Sequence, residues 1–265
     1  MTLPTVKVGA HVDPRQPVVE AQARGADLVQ IFLSDPQSWR KPPSRPDAAE
    51  LAASPIPIYV HAPYLINVVA EASRIRIPSR RILQETCDAA SEIGAVAVVV
   101  HGGHLTGGGQ LSDAYPRWRK ALQELDTTVP VLIENTAGGD NAVARRVESI
   151  ANLWKEVGDL GPGFVLDTCH AWAGGEPGEE LIGRTLAATG RIDLIHCNDS
   201  RDAFDSRRDR HANLGHGQMP LELLATVIEQ ARAPVVVETP GGVAEHVADI
   251  AFVREHTATV RASRH

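Results

Sequence analysis

The 265-residue sequence predicts an α/β fold, a (β/α)8 TIM barrel in a single domain, and three observations carry that expectation. Eight short runs rich in Val and Ile recur along the chain. Each is apolar on consecutive positions, as parallel strands buried on both faces require. Helix-like stretches with their own start signals lie between most of them, so successive runs read as right-handed βαβ units.

In order, the first run is Val6–Val12 and the second is Leu28–Leu33. A Pro-rich patch, Pro36–Pro46, follows and reads as one βα loop. The third run is Ile56–His61; after it Pro78 with Ser79 opens a helix that runs to Ile93, and Gly94 ends it. Ala95–His101 is the fourth run, with Ser112–Asp113 opening the next helix. Val129–Glu134 is the fifth, and Asp140 or Asn141 caps a helix that leads through Trp154. Phe164–Asp167 and Ile192–His196 are the sixth and seventh, and Pro220 stands at the first turn of a helix before the eighth, Pro234–Glu238. Eight repeats point to a closed barrel, with a doubly wound open sheet as the alternative. No repeat at the sequence level, linker or low-complexity segment divides the chain, so residues 1–265 read as one domain.

Apolar residues make up 43% and charged residues 22%, ordinary for a globular protein. Cys87, Cys169 and Cys197 are too few for a disulfide framework, and a reducing, cytoplasmic setting is expected. Met1 to Ala10 hold no basic stretch followed by an apolar run. No window approaches the roughly 18 apolar residues of a membrane span, so no membrane partner is expected. The net charge of −7 argues against nucleic acid, unless bound cations supply the positive charge at the site.

The distribution of chemically active residues is more telling. His11, His61, His101, Glu134, Asp167, His196 and Glu238 each close or nearly close a run. In a barrel the carboxyl ends of all strands meet on one face, where active sites are built. A lone His there is more often a hydrogen-bonded structural residue, and a lone carboxylate often caps the next helix. The same coincidence on consecutive strands is much harder to accept. Carboxylates pushed together would raise one another's pKa, and divalent cations remove that repulsion. His170 lies three residues beyond Asp167, and Asp209 and His211 stand at i and i+2, where extended chain points both side chains the same way. Imidazoles and carboxylates without thiolates suit zinc, with manganese or iron as weaker candidates. With His11 set aside, the five His and four acidic side chains exceed one ion's needs, so two or three ions are implied. Sites of this kind serve phosphoryl transfer, supplying hydroxide near neutral pH and neutralising charge on phosphate oxygens.

Over nearly its whole length the chain resembles the endonuclease IV family of apurinic/apyrimidinic endonucleases. The resemblance rests on Val8-Gly-Ala-His11, His61-Ala-Pro-Tyr-Leu-Ile-Asn67, Val99-Val-His-Gly-Gly103, Ile133-Glu-Asn-Thr136, Leu166-Asp-Thr-Cys-His170, His196-Cys-Asn-Asp-Ser200, Asp209-Arg-His-Ala-Asn-Leu-Gly215 and Val237-Glu238-Thr239. It implies a metal-dependent hydrolase with about three zinc ions per chain. His61 and His101 would hold one ion, which Glu134 bridges to a second. Asp167, His196 and Glu238 would complete the second ion's shell, and His170, Asp209 and His211 would hold the third. The implied reaction is hydrolysis of the phosphodiester 5′ to an abasic site in double-stranded DNA, leaving a 3′-hydroxyl, as in base excision repair. A monomer is expected.

By the same resemblance Glu134 and His11 are catalytic candidates, with His11 outside the zinc shell. Tyr64 matches a tyrosine that meets the DNA near the lesion. The loop Ser34-Asp-Pro-Gln-Ser-Trp39-Arg40 keeps the family's Trp39 and Arg40 but lacks its usual basic and polar run, which leaves Gln37 as the inserting residue. After His11 the chain reads Val-Asp-Pro-Arg-Gln-Pro, where the family has small residues and glycine. Arg210, with Arg201, Arg207 and Arg208, forms either a phosphate-contacting patch or a solvated loop. Cys169 and Cys197 read as small core residues, and His104 and His216 as solvated ones. The alternative function is a metal-dependent sugar-phosphate isomerase or epimerase of the xylose-isomerase-like barrels. Those enzymes need a Lys or carboxylate for proton or hydride transfer, and Lys41, Lys120 and Lys155 stand at no strand end.

Overall fold

The computed structural model describes residues 6–262, and the part of the N-terminal reading that falls on Met1 to Thr5 lies outside the described residues. In chain order the elements are β1 (Val8–His11), α1 (Pro17–Arg24), β2 (Val29–Phe32), α2 (Ala48–Ala52), β3 (Ile58–His61), α3 (Ser73–Glu92) and β4 (Ala97–His101). There follow α4 (Tyr115–Glu124), β5 (Val131–Glu134), α5 (Val147–Val157), β6 (Gly163–Asp167), α6 (Thr168–Gly174), α7 (Leu181–Thr189) and β7 (Leu194–His196). The last are β8 (Asp199–Ser200), β9 (His211–Ala212), α8 (Leu221–Ala231), β10 (Val235–Val237) and α9 (Val243–Ala262). The barrel closes in the order β1-β10-β7-β6-β5-β4-β3-β2, every pair parallel, as expected of a (β/α)8 TIM barrel. Among the described residues no helix is long and apolar enough to cross a membrane.

The two-residue period of a strand sorts its side chains between the barrel interior and the helix layer. Leu28, Tyr59, Ala97, Val99, Leu132, Val165, Leu194 and Val236 form a buried cluster of their own, the interior plug. Their neighbours, such as Val29, Ile58, Val98, Ile133, Leu166, Ile195 and Val237, belong to the larger core under the helices. On β1 the inward position is Gly9, because a Cβ there would stand 1.8 Å from the Leu28 carbonyl oxygen. Two residues beyond the plug, the same inward face carries Gln30, His61, His101, Glu134, Asp167, His196 and Glu238, with His11 two beyond Gly9. Register keeps them level: His101 pairs with Glu134, Asp167 with His196, and His11 with Gln30.

The eight barrel strands fall on the eight apolar runs, with β6 beginning one residue early at Gly163. Three helix starts differ from expectation. α3 begins at Ser73, so Pro78 lies inside it rather than opening it. Arg76 donates to the Ala70 and Glu71 carbonyls at 2.7 Å each and fixes that earlier start, while Ser79 Oγ donates to Ile75 O. Gly94 ends the helix as expected, at φ +64°. Ser112 and Asp113 lie in a 3-10 turn before α4, which starts at Tyr115. α5 starts at Val147, and Asp140 and Asn141 stay in the preceding loop, where Asp140 pairs with Arg145 at 2.7 Å. Pro220 is the N-cap of α8. The Pro-rich patch is the β2–α2 loop.

β8 and β9 form an antiparallel ribbon between β7 and α8, with Ser200 opposite His211. The buried Asp199 carboxylate holds the return of that loop, accepting N–H bonds from Gly215, Gly217 and Met219 at 2.8–3.1 Å.

Candidate metal centre

Glu134 sits at the centre of the barrel mouth and is fully buried. Its Oε2 lies 3.2 Å from His61 Nε2 and 3.4 Å from His101 Nε2. Its Oε1 lies 3.0 Å from His196 Nδ1 and 3.2 Å from His170 Nδ1. His196 Nδ1 is also 3.1 Å from Glu238 Oε2. Asp209, carried on the loop before β9, spans two rings, with Oδ2 3.0 Å from His170 Nε2 and Oδ1 3.0 Å from His211 Nε2. All nine residues expected as ligands therefore meet in one place.

Their ligand atoms gather into sets within 4.8 Å. His61, His101 and Glu134 form one, and Glu134, Asp167, His196 and Glu238 another. Asp167, His170 and His211 form a third, and Cys169 approaches Asp209 and His211. Glu134 joins the first two sets, and Asp167 the second and third. In the metal-free protein the Cys169 thiol is pushed up to about 12 by burial and by Asp167, and Cys197 is fully buried.

The donor set fits divalent cations on the evidence of its hydrogen bonds. A His ligand needs one ring nitrogen for metal and commonly gives the other N–H to an acceptor. His61 Nδ1 is 2.7 Å from Ala62 O, His170 Nδ1 is 2.9 Å from Asn135 O, and His211 Nδ1 is 3.2 Å from Glu238 O. Each leaves Nε2 facing the carboxylates. His211 Nε2 is buried with no aligned hydrogen bond although Asp209 Oδ1 lies 3.0 Å away, a polar atom aimed into the cluster that a cation would satisfy.

Without cations the same groups share protons. Burial pushes His101 down to about 4 against the pull of Glu134. Burial also acts on His196 and His211, but the carboxylates around them more than reverse it and raise both to about 9. His170 is raised well above the usual imidazole value by Asp167 and Asp209, against its burial. Glu134 is held well below the usual carboxylate range, since the imidazoles of His196 and His101 outweigh its burial. Burial raises Asp167.

His11 lies beside the sets rather than in them, its Nδ1 3.4 Å from Glu238 Oε1 and its ring centre 4.5 Å from Phe32. Tyr64 is 52% exposed and stacks on His101 at 5.7 Å, over the mouth. Gln37, Trp39 and Arg40 are exposed on the β2–α2 loop and line, with Phe32 and Pro14, a groove of about 1030 Å³. The Asp35 side chain accepts from Gln37 N at 2.9 Å and shapes that loop's tip. A second cleft, of about 540 Å³, runs from Tyr64 and His101 past His170 to Arg207 and Asp209. Arg210 is held by Asp202 through Nε at 2.6 Å, and Arg207 reaches Asp140 at 3.3 Å. His104 and His216 are exposed.

Three residues not singled out from sequence complete the centre. Asn135 donates to Asp167 O and accepts from Asp167 N, and Asn198 donates to Asp167 Oδ2 at 2.7 Å. Gln30, fully buried, touches His11, Glu238 and His196. Asn135 and Asn198 lie inside the motifs quoted above, but as neutral amides they carry no ligand signal. Gln30 lies in none.

The family model described as Xylose isomerase-like TIM barrel matches residues 18–256. The chain is 56% identical over 252 residues to the "Probable endonuclease 4" of Mycobacterium tuberculosis, covering 95% of this chain and 99% of that one. The crystal structure of endonuclease IV from Thermus thermophilus superimposes with a TM-score of 0.82 at 31% identity, covering 96% of this chain and 99% of that one. A D-tagatose 3-epimerase-like protein matches with a TM-score of 0.79 at 18% identity over 98% of this chain and 100% of its own, a likeness of fold alone.

Proposed function

Since the chain belongs to the endonuclease IV family of xylose isomerase-like TIM barrels, we propose that it is a zinc-dependent apurinic/apyrimidinic endodeoxyribonuclease. It hydrolyses the phosphodiester 5′ to an abasic site in double-stranded DNA and leaves a 3′-hydroxyl. The observation that carries this reading is the mouth itself: five imidazoles and four carboxylates in overlapping sets, two of them sharing Glu134. About three zinc ions per chain accord with that number of donors. When bound, zinc would activate water near neutral pH and neutralise charge on the attacked phosphate and the departing 3′ oxygen.

The remaining work falls to the protein. His61, His101 and Glu134 would hold one cation, Asp167, His196 and Glu238 with Glu134 a second, and His170, Asp209 and His211 a third. Tyr64, stacked on His101 and half in solvent, would meet the DNA near the lesion. Gln37, Trp39 and Arg40, exposed on the β2–α2 loop, and Arg210, exposed and paired with Asp202, would contact the duplex. His11, neutral because burial lowers its pKa, offers a hydrogen bond rather than a charge at the edge of the cluster. On this reading residues 1–265 act as one catalytic domain, a monomer of the cytoplasm.

Two measurements test the proposal. Elemental analysis of protein purified without chelator should give about three zinc per chain. A duplex with one abasic site should be nicked on its 5′ side, with a 3′ end that a polymerase extends. One metal or none, with isomerisation of a sugar phosphate instead, would favour the epimerase-type reading.

A further inference from the structure

Gln30 lies on β2 two residues beyond Leu28 of the interior plug, between the apolar Val29 and Ile31, and none of its surface is exposed. Burying an amide is costly unless its groups are bonded, and here both ends are. Nε2 donates to Glu238 Oε1 at 2.6 Å and lies 3.1 Å from His11 Nδ1; Oε1 is 2.9 Å from His196 Nε2. A carboxylate only accepts, so the amide nitrogen must face Glu238 and the carbonyl oxygen must face His196. His196 Nε2 therefore carries a proton, so Nδ1, which faces Glu134 and Glu238 at 3.0 and 3.1 Å, is the ring nitrogen that would give up its proton and offer a lone pair when a cation binds.

His61, His170 and His211 obtain the same service from backbone carbonyls. His196 obtains it from a side chain, on a strand where the sequence otherwise supplies only apolar residues. We infer that Gln30 is a positioning residue of the metal centre: its amide fixes His196 as the Nε2-protonated ring and holds Glu238 by Oε1, so that His196 Nδ1 and Glu238 Oε2 face the same cation. This rests on the zinc reading above.

The test compares wild type with Gln30→Leu and Gln30→Glu. Metal-stripped protein is titrated with zinc in competition with a chromophoric chelator. The zinc-loaded protein, labelled with 15N in histidine, then reports the His196 ring by two-bond 1H–15N spectra. Wild type should show a hydrogen-bonded Nε2 proton that exchanges slowly. Gln30→Leu should bind about one zinc per chain about 10–100-fold more weakly, and its His196 Nε2 proton should move upfield. Gln30→Glu still accepts that proton but cannot donate to Glu238, so it should keep the resonance and lose affinity. A purely structural role would lower stability and leave the proton where it is. Gln30→Leu with wild-type zinc affinity, or with an unshifted proton, overturns the inference. If Gln30→Leu does not fold, Gln30→Glu decides: weaker zinc with the proton retained supports the inference, and unchanged zinc overturns it. Wild type that binds no zinc instead overturns the zinc reading, and this inference with it.

Discussion

Glu134 presents one oxygen to His61 and His101 and the other to His196 and His170. An amide in its place would carry no charge between two cations and would bind zinc poorly. Glu134→Gln should therefore abolish nicking of abasic duplex and weaken zinc by at least about 10–100-fold, measured by gel assay and chelator competition. The barrel should survive, because the plug beneath Glu134 is apolar and independent of it. His104→Ala, at an exposed position, should leave both readouts near wild type and serves as the control. Of the nine proposed ligands, His61, His101, Glu134, Asp167, His196 and Glu238 were legible because each is a His or carboxylate closing an apolar run, His170 by its spacing from Asp167, and Asp209 and His211 by their i, i+2 spacing. Gln30 was not, since a neutral amide within such a run looks like a blemish in the strand. Nor did sequence show that Asp167 and Cys169 would approach the set containing His211, which depends on how the following loop folds back.

At the scale of elements, strands were read better than helices. A parallel strand buried on both faces writes itself as consecutive apolar residues, whereas a helix start is a local hydrogen-bond choice. Pro78-Ser79 looked like such a start, yet the Arg76 guanidinium on two earlier carbonyls opens α3 at Ser73. The spacing of Asp167 and His170 left open a helical turn between them, and α6 supplies it with Asp167 as N-cap, accepting from His170 N at 2.6 Å. The β2–α2 loop was read correctly as a loop, and its composition sets its expected behaviour. Gln37 is exposed at its tip, and an amide compensates less for lost base stacking than a guanidinium plane does. Gln37→Arg should lower KM for an abasic duplex more than it raises kcat. Steady-state kinetics of both proteins on one oligonucleotide at fixed salt checks this. An unchanged KM would mean that this loop stays outside the DNA.

For the whole molecule, the barrel's closure concentrates acid and imidazole where a net charge of −7 gives no hint of an anionic substrate. Charge totals describe the surface, and the cations proposed here would act from inside the mouth. Their effect on stability has a sign. In metal-free protein His196 and His211 are raised to about 9, so the stability from their carboxylate contacts is fully present below about 6.5 and is lost as pH rises through 9. Zinc takes the place of those protons and binds better as they leave. The gap in Tm between zinc-loaded and metal-free protein should therefore widen from pH 6 to 9 in paired thermal melts. A gap that narrows would place the cations elsewhere. Nor do all the proposed ligands stand on equally firm ground. Those on the barrel strands are set once the ring closes, but Asp209 and His211 depend on the β8–β9 ribbon and on the Asp199 carboxylate that gathers the Gly215, Gly217 and Met219 amides. That difference implies an order of arrival. The cation held by His170, Asp209 and His211 should enter last and leave first, and Asp199→Asn should speed its escape to a chelator while the other two depart at their former pace.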